Sequence, residues 1–273
     1  MASTLAQRPN HKGFPKPGEL IEFRSRRELT LQDRRILNLL IEHAGPQIAS
    51  DRTHRIAMSA LRGRHKGGER VRDSILRLME TTVIVPTRDG HGNPATERGV
   101  FLDSTTTTDD EDAPGAEVVY SFSRTMRRVI ANSHYWGRLK RHIICAFQSK
   151  FSLALYEAIC LRAELSVSEQ ELSVEKFRQT LGLSSGSLLA ANNLKQRAID
   201  PALREINGLS DFWVEIQPIR QGGRVRGTVI GYRLHWRRKS DEEWRAVLDE
   251  LARPKVGRRE RLAGAVDVVE LCI

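Results

Sequence analysis

Twice along this chain, three stretches of helical periodicity are followed by short alternating runs separated by turn residues. In the first set, Thr30 precedes the apolar run Leu31–Ala44, with Asp33 three residues on and Gly45-Pro46 closing it, the pattern of a capped helix. A short element ends at Leu61. A helix over Glu69–Glu80 follows, with Val71, Ile75, Leu78 and Met79 on one face and Arg70, Asp73, Ser74 and Arg77 on the other. Strands are predicted at Thr82–Pro86, Gly99–Leu102 and Glu117–Phe122. In the second set, Ser149 opens an amphipathic helix, Ser173 caps a short one that Gly182 stops, and a third covers about Ala190–Asn207. Strands at Phe212–Ile219 and Val225–Trp236 close the set through Arg220-Gln221-Gly222-Gly223-Arg224.

Three helices followed by a hairpin is the order of a winged helix-turn-helix. The predicted fold class is therefore α+β: two winged helix-turn-helix domains in tandem, helix-rich with small β-hairpin wings. The expected boundaries are a disordered N-terminal arm over 1–28, a first domain over 29–140, a second over 141–239, and a C-terminal helix and tail over 240–273. The arm is polar, with Pro9, Pro15 and Pro17, and lacks the apolar core of a signal peptide. Residues 103–115 carry five acids and no base in a Thr-rich stretch. They are read as a mobile, solvated insertion at the wing tip, with a segment that mimics DNA and damps binding as the other reading.

Composition narrows the function. A net charge of +10 over 273 residues points to a polyanionic partner. No apolar stretch approaches a membrane span, and Cys145, Cys160 and Cys272 form neither a metal pair nor a disulfide framework, so a reducing cytoplasm is expected. No two histidines stand at metal-ligand spacing, and no phosphate-cradling glycine loop is present. His235-Trp236-Arg237-Arg238 has the HxxR spacing of tyrosine recombinases, but no tyrosine lies beyond Tyr232 to serve as nucleophile. No enzyme, cofactor or metal site is expected.

The third helix of the second set carries the chemistry. Leu194, Ala198, Ala202 and Ile206 share an apolar arc, and Asn193, Gln196, Arg197, Asp200, Arg204 and Asn207 lie opposite. Arg pairs with guanine, and Asn or Gln with adenine, so that face suits base reading; it also suits an ordinary solvated helix. Pro201 should kink the helix or start a new turn, with Asp200 as a cap. Over residues 190–239, ten basic residues stand against four acidic ones, a net +6 that suits phosphate neutralisation.

The stretch Asn193-Leu194-Lys195-Gln196-Arg197-Ala198-Ile199-Asp200-Pro201-Ala202-Leu203-Arg204-Glu205-Ile206-Asn207 resembles the second recognition helix of the iteron-binding plasmid replication initiators. Leu29–Leu37 resembles that family's opening helix, Gln148–Glu157 the helix that starts its second domain, and Asp211–Val214 through Arg226 its basic wing. The resemblance implies tandem winged helices that bind direct repeats at a plasmid origin, melt adjacent AT-rich DNA, and recruit the host initiator and replicative helicase. It also implies a monomer–dimer equilibrium in which dimers repress their own gene. On this reading Asn193, Gln196 and Arg197, with Arg204 and Lys195, contact bases of double-stranded DNA. Lys150, Arg224 and Arg226 hold phosphates, and Arg70, Ser74 and Arg77 form the matching face of the first domain. The alternative is a winged-helix transcriptional regulator without initiation activity.

Overall fold

The computed structural model describes residues 3–62, 70–184, 186–188, 190–223 and 227–264. The chain divides into two compact units, Met1–Cys145 with Gly182–Ser185, and Ala146–Leu181 with Gly186–Ile273.

The first unit runs β1 (Phe14–Pro17), β2 (Arg24–Ser25), α1 (Leu31–Ala44), β3 (His54–Ala57), α2 (Met58–Leu61), α3 (Val71–Glu80), β4 (Val83–Arg88), β5 (Pro94–Gly99), β6 (Leu102–Thr107), β7 (Glu117–Phe122), α4 (Arg124–Ala131), β8 (Trp136–Leu139) and α5 (Arg141–Ala146). Helix α1 starts at the predicted cap, and Thr30 and Asp33 form a reciprocal capping box there. The Asp33 amide donates to Thr30 Oγ1 at 3.1 Å, and the Thr30 amide donates to the Asp33 carboxylate at 3.0 Å. Its apolar residues Ile36, Leu37 and Leu40 are fully buried. The strands form three antiparallel sheets, ordered β1-β8, β2-β4-β5 and β3-β7-β6.

Three expectations for this unit are corrected. Much of the segment 1–28 is not a disordered arm. Strand β1 pairs with β8 from Phe14↔Leu139 to Pro17↔Trp136, and Phe14, Leu20, Ile21 and Phe23 are buried. Phe23 meets Phe101 edge-on, with ring centroids 5.1 Å apart. Pro15 and Pro17 are compatible with this because a two-stranded ribbon has an outer edge that makes no ladder bonds.

The insertion 103–115 is folded onto the unit rather than solvated as a loop. Its β-branched threonines extend β6 along β7 as far as Thr107↔Val118. Its acids turn onto α3, where the Glu111 carboxylate accepts from the backbone N–H groups of Val71 at 3.3 Å and Arg72 at 2.9 Å. The anticipated three strands are two hairpins. Strands β4 and β5 join through a turn in which Asp89 accepts from the amides of His91 and Asn93, and β6 pairs with β7.

The second unit runs α6 (Lys150–Arg162), β9 (Glu169–Ser173), α7 (Val174–Thr180), α8 (Ala191–Leu194), a π-helical turn over Lys195–Ile199, α9 (Asp200–Leu209), β10 (Phe212–Arg220), β11 (Val229–Arg238), α10 (Asp241–Ala252) and α11 (Arg258–Leu262). The sheet order β10-β11-β9 places the long hairpin beside a short strand that precedes α7. Tyr156, Phe177 and Phe212 fill the core beneath it, with Phe177 and Tyr232 rings 4.3 Å apart. Ser240 and Glu243 form a second capping box at the start of α10. Helix α11 seats against α9 so closely that a Cβ on Gly208 would fall 2.2 Å from Leu262 Cδ2.

Candidate nucleic-acid interface

The helical run from Ala191 to Leu209 is continuous through α8, the π-turn and α9. Pro201 accounts for the break in register. It has no N–H to give the Arg197 carbonyl and its ring crowds that oxygen, so the preceding turn widens by a residue. The Asp200 amide accordingly donates to the carbonyl of Lys195. The Asp200 carboxylate does not cap the helix; it pairs with Lys195 Nζ at 2.8 Å.

The polar face of this run divides into two halves. Leu194, Ala198, Ala202 and Ile206 point into the core as the spacing predicts. Asn193, Lys195, Gln196 and Arg197 are exposed at the N-terminal end. That is the end a helix-turn-helix presents to base edges. Toward the C-terminal end, Asn207 turns inward, donating to the Val214 carbonyl at 2.9 Å and accepting from the Val214 amide at 2.7 Å. Lys239 closes that end by donating to the carbonyls of Asn207 and Ser210, while burial draws its ammonium down to about 8. Arg204 is half-buried and lies with Lys150 in the wall of one cleft. Arg224 and Arg226 lie outside the described residues.

In the first unit the matching face is corrected. Ser74 is fully buried, and Arg77 folds under α3 onto Asp33, with Nη2 2.7 Å and Nε 3.0 Å from Oδ1. Arg77 also donates to Ser74 Oγ at 3.0 Å. The cause is Asp33 itself: its capping role places a carboxylate with a side chain only 1% exposed in the core, and a buried carboxylate needs a cation. Of the three predicted residues only Arg70 remains exposed, at the position before α3. The outward side of α3 carries Arg72, Asp73, Leu76 and Glu80, and Arg72 pairs with Asp109 of the acidic insertion.

The +6 count over residues 190–239 is also reduced once partners outside that window are included. Arg233 pairs with Glu169 and Glu171, and Arg238 with Glu164 as well as with Asp211 inside the window. Arg237 makes a two-pronged contact with Glu243 while lying over the Trp213 ring. Among the described residues of that window, Arg197, Arg204, Arg220 and Lys239 make no ion pair; Arg220 and Lys239 donate to backbone carbonyls instead.

A concave feature unseen in the sequence adjoins the same helix. A cleft of about 420 Å³ is lined by Lys150, Arg197, Arg204, Arg258 and Arg259, among others, with Glu205 as its acid. The Glu205 carboxylate accepts from the amides of Gln148 and Ser149 at 3.0–3.2 Å, so it is committed to the start of α6. The only sequence signal for Arg258 and Arg259 in its lining is the basic run Arg253–Arg261, which could add non-specific DNA contact but by composition reads first as a frayed end.

Two family models match this chain: "Initiator Replication protein, WH1" over residues 16–160, and "Initiator Rep protein, WH2" over residues 173–236. The chain belongs to the replication initiator family. The two matched segments are its tandem winged-helix domains, and the resemblance read from Asn193–Asn207 holds. The first match begins at Lys16, within the segment expected to be a disordered arm. The second ends at Trp236, before α10 and α11. No curated protein matches. Among solved structures, a crystal structure of the Pi initiator protein in complex with iteron DNA is similar at 15% identity and a TM-score of 0.49, covering 80% of this chain and 98% of that one.

Proposed function

We propose that this initiator binds repeated double-stranded sites at a plasmid origin, with the N-terminal half of the Ala191–Leu209 helix in the major groove. Asn193, Gln196 and Arg197 read base edges there. Lys195 contacts bases on release from Asp200, an exposed pair that holds it only weakly. Arg204 and Lys150 lie behind them, toward the backbone. Opening of adjacent AT-rich DNA, recruitment of the host initiator and helicase, and repression of its own gene as a dimer complete the proposal.

One observation carries it. Three side chains with donor and acceptor chemistry suited to base pairs stand exposed on consecutive turns of a helix whose opposite face is locked in the core. Among the described residues of the +6 window, Arg233, Arg237, Arg238 and Lys239 are engaged within the protein, which leaves recognition chemistry available at this end.

The test is replication itself. The gene with its flanking DNA is placed on a plasmid that has no other origin. Transformants are expected with the native gene and not with Asn193→Ala/Arg197→Ala. Plasmid maintenance by the double variant would refute the assignment. Binding to the flanking repeats without plasmid maintenance would favour the regulator reading.

A further inference from the structure

We infer that α11, a segment beyond the matched winged-helix domain, supplies one wall of a phosphate-binding cleft and so forms part of the DNA grip. The inference rests on the DNA-binding reading above.

Helix α11 is held in place by a buried ion-pair cluster. Arg258, only 3% exposed, sends Nε to Glu250 Oε1 at 3.2 Å, and Nη2 reaches the Glu250 carbonyl at 3.1 Å. Arg261 closes on the same carboxylate at 2.7 Å. Leu262 packs on Gly208 of α9. With its neighbours anchored, the exposed Arg259 lines the same cleft as Lys150, Arg197 and Arg204.

Among the described residues, the side chains of Arg197, Arg204 and Arg259 make neither a hydrogen bond nor an ion pair. The nearby Glu205 carboxylate is spent on backbone amides. Several cations gathered in a concave surface repel one another and concentrate field there, which an anion relieves. Arg197 belongs both to this cleft and to the exposed base-reading end, so the anion that fits is a backbone phosphate of the same duplex. Its contact fixes the register of the helix without reading sequence.

The experiment measures the salt dependence of binding by the full chain to two short duplexes, one cut from the DNA flanking the gene and one scrambled. Arg259→Ala should lower the log–log salt slope by about 0.9, and Arg204→Ala/Arg259→Ala by about twice that, on both duplexes alike. Arg259→Lys should retain the slope, since a point charge suffices for a phosphate. A wild-type slope in both alanine variants would overturn the inference. Titration with inorganic triphosphate, without DNA, examines the other source of the same chemistry. Binding that Arg259→Ala abolishes, together with an unchanged slope on DNA, would reassign the cleft to a free phosphate ligand. The slope is read on scrambled DNA too, so failure of the native protein to prefer its flanking repeats would count against the function proposed above and not against this site.

Discussion

The third helices of the two units share an amphipathic plan and use their polar sides in opposite ways. In α3, Ser74 and Arg77 lie under the helix and serve the buried Asp33 of α1. In the Ala191–Leu209 run, Asn193, Gln196 and Arg197 meet solvent. A helical wheel shows which residues share a face; it does not show whether another element covers that face. What differs between the units is a carboxylate on a neighbouring helix. Asp33 draws Arg77 inward, whereas Glu205, on the second unit's own helix, is occupied by the backbone of α6 and leaves the arginines beside it without a partner.

The largest test of that contrast is stability. Arg77→Ala leaves Asp33 as an uncompensated buried charge and should cost about 3–5 kcal/mol in denaturant unfolding of the first unit. A loss below 1 kcal/mol, the range of exposed pairs, would mean that Arg77 is not the partner described here. Arg197→Ala should do the reverse. Unfolding should stay within about 0.5 kcal/mol of the native protein, while affinity for the flanking repeats falls by about 1–3 kcal/mol in a gel-shift titration, with relaxed choice at one base.

Glu111→Ala sharpens the comparison from the other side of α3. That carboxylate accepts two first-turn N–H groups, so its removal should cost about 1 kcal/mol, the usual worth of a helix cap. An unchanged melting temperature would return the insertion to the solvated loop expected from composition. The smallest effect is a pH dependence confined to the first unit. Burial lowers the pKa values of His43 and His54. Each therefore favours its neutral form in the fold, so its contribution is complete above the ordinary histidine value of about 6.5 and is lost as pH falls through the depressed folded value. His54→Phe should flatten the fall in thermal stability between about pH 7 and pH 5; an unaltered slope would show that other groups cause it.

Much of this architecture is legible from local signals. The Thr30–Asp33 capping box, the core stripe Leu194, Ala198, Ala202 and Ile206, and the disruption at Pro201 all follow from spacing and side-chain chemistry, because helix periodicity and caps are decided within a few residues. Other features depend on distant partners. Asp33 and Arg77 lie 44 residues apart. Arg238 is matched by Glu164, which a charge count over 190–239 leaves out. The prolines of the first residues suggest disorder until β8 supplies a partner for β1. The cleft also depends on distant partners, since Arg259 lines it together with Lys150 from a helix held by the Arg258–Glu250 pair.

The central claim, that the exposed start of the Ala191–Leu209 helix is the surface that meets DNA, is tested most directly by following backbone amide resonances while a duplex carrying the flanking repeats is added. The account predicts that Asn193, Gln196 and Arg197 shift strongly at saturation while Ser74 and Arg77 stay in place. Saturable binding with Asn193 to Arg197 unmoved would contradict it.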